Sequence, residues 1–125
     1  MNVPDNLMYT EEHEWVKIDS NIATIGITDH AQGELGDVVF VEMPTVGDSF
    51  KKGDVVASIE AVKTVAEVFL PVSGKITEVN EVLNDAPETI NQDALGEGWM
   101  FKVEMSDPSE LDDLLSAESY KNLIE

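Results

Sequence analysis

Apolar and polar residues alternate with a period near two over most of the first hundred positions, the mark of half-buried strands. The pattern predicts strands at Leu7–Tyr9, Trp15–Ile18, Ile22–Ile27, Asp37–Glu42, Val55–Ala61, Val65–Leu70, Lys75–Val79 and Met100–Glu104. Turn-forming stretches separate them: "DSN", "TVGD", "KKGD", "PVSG" and "GEGW". Asp48, Gly53 and Asp54 read as turn chemistry, and Gly74 as a tight turn that needs a positive φ. Many short strands with frequent turns predict an all-β sandwich or barrel. Trp15 and Trp99 are expected in its core or lining a cleft.

Helical pattern is sparse. "TDHAQGELG" predicts one short turn, capped by Thr28 or Asp29 and stopped at Gly33 or Gly36. "NDAPETINQDAL" predicts another. In "SDPSELDDLL" Asp107 is the expected N-cap, Pro108 suits the first helical position and Glu110 completes a capping box. Leu111, Leu114 and Leu115 would then share one face. "SAESYKNLI" restarts a helix with Ser116 as cap. These C-terminal helices are expected to pack on the β-core. The organisation read from the chain is one domain over 1–125, with a core at about 7–104 and a helical segment at about 107–124.

Charge narrows the function classes. There are 26 acidic residues against 7 basic ones, all of them lysine, for a net charge of −19. That excludes nucleic acids and anionic membranes, which need cationic contacts, and favours basic partner surfaces. Cysteine is absent, which excludes thiol catalysis, disulfides and Cys-based zinc sites. His13 and His30 are too few for a His-only metal site and are expected to be structural. No apolar stretch approaches the roughly 20 residues of a membrane span. "MNVPDNLMYTEE" shows no basic-then-apolar leader pattern. A bacterial cytoplasmic location is expected, with a mature mitochondrial form as the alternative.

One lysine stands inside an apolar β-run. Val55 to Leu70 is too long for a single strand, since strands usually run about 5–6 residues. The run must bend, and its most polar interior point is Glu60 to Lys63. A hairpin tip is therefore expected at Ala61–Thr64, with Lys63 held at an exposed turn by two apolar strands. A surface lysine that merely blocks edge pairing would occupy the same position.

A lysine at a hairpin tip, followed by a return strand and "PVSG", resembles the biotinyl/lipoyl carrier domains. Biotin carriers flank the lysine with Met, whereas here the neighbours are Val62 and Thr64. The lipoyl domains of 2-oxo acid dehydrogenases usually have Asp before the lysine and Ala after it. Glu60-Ala61-Val62-Lys63-Thr64 is similar to the Glu-Ser-Val-Lys-Ala of the remaining branch, the H proteins of the glycine cleavage system. "YTEEHEWVKI", "ATIGITDHAQGELGDVVFVEMPTVGD", "PVSGKITEVNEVLNDAPETIN" and "GEGWMFKVEMSDPSELDDLLSAESY" follow in that family's order. The resemblance covers essentially the whole chain. It departs at Ala61, where Ser is usual, and at Thr64, where Ala is usual; both bear on recognition by the lipoylating enzyme.

The resemblance implies a barrel-sandwich hybrid fold and a carrier that is not itself an enzyme. Lipoate is implied as the cofactor, joined by an amide to Lys63. The implied partners are the pyridoxal-phosphate glycine decarboxylase (P protein), the tetrahydrofolate-dependent aminomethyltransferase (T protein) and dihydrolipoamide dehydrogenase (L protein). A lipoate ligase or octanoyl/lipoyl transferase must act as well. Lysine amines ordinarily titrate near 10.4, so such an enzyme must supply activated lipoate and remove the proton. Glu60 reads as its recognition point. Glu67, Glu14, Glu12 and Leu35 are the candidates for a cleft sheltering the loaded arm, with "EEHEW" and "TDHAQGEL" as its walls. A monomer is expected. Other readings stay open: a lipoyl donor to other enzymes, and an unmodified acidic binding module. A biotin carrier is disfavoured by the missing Met pair.

Overall fold

The computed structural model describes residues 2–125. In chain order its elements are β1 (Met8–Tyr9), β2 (Glu14–Asp19), β3 (Ile22–Ile27), α1 (Asp29–Leu35), β4 (Val38–Glu42), β5 (Ser49–Phe50), β6 (Val55–Ala61), β7 (Val65–Phe69), β8 (Gly74–Val79), α2 (Val82–Asp85), α3 (Thr89–Gln92), β9 (Phe101–Met105) and α4 (Ala117–Ile124), with a 3₁₀ turn at Pro108–Asp113 before α4. The eight strands expected from alternation are present, each end within one residue. The ninth, β5, has two residues, too few to show a period.

The strands form two antiparallel sheets, β1-β2-β3-β9-β8-β5 and β4-β6-β7. Their inner faces share one core. Val16, Ile25, Ile76, Phe101 and Val103 come from the larger sheet, and Val38, Val41, Ile59 and Val68 from the smaller. Alternation sends every second side chain to this layer; in β9 the buried residues are Phe101, Val103 and Met105. This is the barrel-sandwich architecture expected from the sequence.

A second apolar cluster holds the C-terminal segment against β1 and β2. Tyr9, Trp15, Ala117 and Tyr120 are buried together. The Tyr9 and Tyr120 rings stack at 4.8 Å, and Tyr9 and Leu115 exchange backbone hydrogen bonds at 2.9 and 2.7 Å. The C-terminal helices thus pack on the β-core, as expected.

Several local expectations change. The "NDAPETINQDAL" turn extends into two short helices, α2 and α3. The Asp107 side chain does cap the following turn, accepting from Ser109 N–H at 3.2 Å. Glu110, however, closes no capping box. Its carboxylate accepts from Ser73 N–H (2.7 Å) and Ser73 Oγ–H (2.8 Å), tying the 3₁₀ turn to the "PVSG" loop. The tighter 3₁₀ winding also splits the leucines: Leu111 and Leu114 lean on the main core and Leu115 on the second cluster. Gly74 is not a positive-φ turn. It lies in β8 beside β9, where a Cβ would collide with the Glu104 carbonyl and the Val103 side chain. Close backbone approach is what excludes a side chain there.

Candidate functional site

The long apolar run folds as one hairpin. β6 and β7 pair with Ser58 opposite Glu67, Ile59 opposite Ala66 and Glu60 opposite Val65. Ala61 N–H donates to Thr64 O at 2.8 Å and closes the turn. Val62 and Lys63 are left at the apex, both exposed, Val62 at 76%. Ile59 and Val68 anchor the hairpin in the core at 0% and 1% exposure. Because cross-strand partners share a face, Phe40, Glu60 and Val65 form one outward row, and Glu42, Ser58 and Glu67 the next. Glu60 and Glu67 are therefore exposed on the outer face of the smaller sheet, Glu60 three residues from Lys63.

Beside the apex runs the link between α1 and β4. Gly36 ends α1 with φ 77°, and a Cβ at that position would stand 3.5 Å from Lys63 Cε. The aliphatic stem of Lys63 thus lies over Gly36. No carboxylate is within ion-pair distance of its amine among the described residues. The geometry is an accessible primary amine on a stiff support, which suits acylation by an external enzyme.

At the opposite end of β7 lies a cleft of about 310 Å³, lined by Thr10, Glu12, Glu14, Phe69, Pro71 and Leu114 among others. Lys52 and Asp113, paired at 2.8 Å, stand at its rim. Glu14 forms part of its wall while being only 2% exposed. Its Oε1 accepts from Thr10 Oγ1–H at 2.6 Å and its Oε2 from Phe69 N–H at 3.0 Å. Thr10 Oγ1 also accepts from the N–H groups of Glu12 and Glu14. Its one proton must therefore go to Glu14. Phe69 lies on the edge strand of its sheet, so Glu14 also caps an open ladder. Burial pushes the Glu14 carboxyl up to about 7, against the opposing pull of those two hydrogen bonds. A larger groove of about 390 Å³ near Val46, Val82 and Trp99 shares no residue with this cleft or with the hairpin tip.

The structure thus brings Glu12 and Glu14 together in the cleft. Glu67 is not among the cleft-lining residues; it stands on β7 between Lys63 and the cleft. Leu35 is elsewhere: it is 7% exposed and packs in the main core. The "TDHAQGEL" segment, α1, flanks the tip rather than the cleft. His13 and His30, expected to be structural, lie together next to α4. Their rings contact at 4.9 Å, and His13 Nδ1 meets the Tyr120 hydroxyl at 2.9 Å. Sequence reasoning missed Thr10, which orients Glu14 four residues on, and Gly36, which it took only as a possible helix stop.

Comparison with known proteins agrees with this geometry. The family model described as glycine cleavage H-protein matches residues 7–125. The glycine cleavage system H protein of Staphylococcus haemolyticus is 57% identical over 124 residues, covering 99% of this chain and 98% of its own length. That of Staphylococcus saprophyticus is 55% identical with the same coverage. The crystal structure of a glycine cleavage system H protein from Mycobacterium marinum superposes with a TM-score of 0.90 at 36% identity, covering 96% of this chain and 97% of that one. The chain therefore belongs to the glycine cleavage H-protein family, non-catalytic carriers with lipoate on a lysine that serve the P, T and L proteins of the glycine cleavage system.

Proposed function

We propose that Lys63 is the lysine that carries lipoate in this chain, through an amide at Nζ. The observation that carries this reading is the position of Lys63 at the apex of a core-anchored hairpin, exposed and without an ion-pair partner among the described residues. When bound, lipoate supplies a disulfide able to accept an aminomethyl group and to be reoxidised. The chain's own part is to present, orient and shelter. Val62 and Lys63 stand clear of the sheets. Glu60, on the exposed outer face, serves as a recognition point for a lipoate ligase or octanoyl/lipoyl transferase.

We further propose that the cleft at the far end of β7 shelters the loaded end of the arm. Val65 to Phe69 spans about 13 Å at about 3.3 Å per residue, so shelter there requires the arm to lie along β7. Glu67 stands midway and Glu12 at the end, giving carboxylates for an ammonium group; Glu14, in the cleft wall with both oxygens engaged, adds its charge there once ionised, above about pH 7. Leu35 supports the tip from the core rather than touching the arm. The whole of 1–125 acts as a single domain, working as a monomer in the bacterial cytoplasm; the Staphylococcus relatives support that setting.

The test is direct. The unmodified chain is incubated with a lipoate ligase, lipoate and ATP, and the product is analysed by intact mass and peptide mapping across Ala57–Pro71. One lipoyl increment on Lys63 is expected, and none in Lys63→Arg, which keeps the charge. A lipoyl group mapped to another lysine, or an unmodified chain beside a modified positive control, would overturn the assignment.

A further inference from the structure

The tip that bears Lys63 is held in place by little backbone contact. Beyond the turn's own hydrogen bond, Val62 N–H donates to the Asp37 carbonyl at 3.1 Å. Asp37 lies in the two-residue link between α1 and β4, and one side chain grips that link from both sides. Asn91, on α3, accepts from Val38 N–H through Oδ1 at 2.9 Å. Through Nδ2 it donates to Gly36 O at 2.7 Å and to Gln32 Oε1 at 3.2 Å. Both amide hydrogens are used. A flipped amide would set N–H against the Val38 N–H and oxygen against the Gly36 carbonyl, so the orientation is fixed by its partners. Ile90, its neighbour, is fully buried and fixes α3 beneath the link. Gly36, gripped by Asn91, is also the residue over which the Lys63 stem lies.

We propose that Asn91 is a positioning residue for acylation of Lys63: it clamps residues 36–38, and that link holds the hairpin tip through the Asp37 carbonyl and the Gly36 surface. This rests on Lys63 being the attachment lysine. In that step the Nζ lone pair forms a bond to the carbonyl carbon of the activated lipoyl donor. The donor's leaving group departs with its electron pair, and the amine's proton passes to solvent. A tip that wanders presents the amine in the productive pose for a smaller fraction of the time. Its apparent affinity for the ligase then falls by that fraction, while the rate once docked is kept.

Three proteins decide it: wild type, Asn91→Asp and Asn91→Ala. The aspartate keeps the acceptor for Val38 and loses both donors. Amide hydrogen exchange is read at Val62, and ligase kinetics with the unmodified chain as the varied substrate. Both variants are expected to raise Val62 exchange by about tenfold, the consequence of losing about one backbone hydrogen bond's protection. The carrier's KM should rise about fivefold or more with kcat within about twofold. Ile25→Val, a core change remote from the tip, should leave both readouts alone. Unchanged Val62 exchange and unchanged KM in a folded Asn91 variant would refute the clamp. If neither variant folds, a Val62 N–H that exchanges at the free rate in the wild type refutes it, and a protected one upholds it. Failure of the wild type itself to be modified on Lys63 would instead sink the attachment assignment.

Discussion

Glu14 gives the most quantitative prediction. Its carboxyl is raised from 4.5 to about 7 by burial. Between those values the folded protein holds a proton that the unfolded chain has released. The proton count is then lower in the unfolded state, so stability falls as pH rises through this window. A shift of that size corresponds to about 3 kcal/mol of stability present at acid pH and lost above about pH 7, at about 1.4 kcal/mol per unit where the slope is full. The assay is urea unfolding of wild type and Glu14→Gln at pH steps from 5.5 to 8.5. Glutamine can satisfy only one of the two donors, Thr10 Oγ1–H or Phe69 N–H, with its carbonyl. That adds an offset that does not depend on pH. The other acids titrate in both proteins and cancel in the difference. The difference in stability should therefore move in favour of Glu14→Gln as pH rises from 5.5 to 7.5, then level off. Parallel curves would refute the reading and mean that Glu14 is ionised throughout, held by its two donors.

His13 has the opposite sign. Burial, then the neighbouring His30, holds its imidazole below the usual 6.5, so folding loses stability as pH falls through the histidine range, and His13→Gln should flatten that loss in acid unfolding curves. Tyr120→Phe removes the hydroxyl that meets His13 at 2.9 Å and the buried Thr28 at 2.6 Å; it should cost about 1–2 kcal/mol in urea and raise exchange in α4 first. Gly74→Ala forces a Cβ onto the Glu104 carbonyl and should cost about 1–3 kcal/mol, read as a lowered Tm with weakened β8–β9 protection.

What the sequence revealed and what it hid divide along physical lines. Strand positions were legible because period-two burial leaves a local trace: Ala23, Ile25 and Ile27 alternate in β3 as they do in the chain. The hairpin tip was legible because a run of Val55 to Leu70 cannot remain one strand. Ser116 and Thr28 were legible as caps because their oxygens accept from backbone N–H groups three residues on. The rest depends on contacts without a period. Glu110 lies 37 residues from Ser73, and Asn91 lies 53 from Val38. Leu35 was read as a cleft wall, yet Ala31 four residues before it also leans on the core; helical spacing alone would have put both on one inner face. The burial of Glu14 has no trace at all in a chain with 26 acids.

The hairpin's register ties these features to function. Val68 points inward at 1% exposure, while Glu67 beside it points out. A one-residue slip of β7 against β6 would reverse both. Exposing Val68 costs about 2 kcal/mol, and driving the Glu67 carboxylate into the core without a partner costs several more. On a sum of about 5 kcal/mol the slipped form is populated at well under one part in a thousand. The apex at Lys63, the carboxylate of Glu67 and the Phe69 N–H that grips Glu14 are thereby fixed relative to one another along a single strand. The same alternation that builds the core therefore sets the distance between the attachment amine and the cleft.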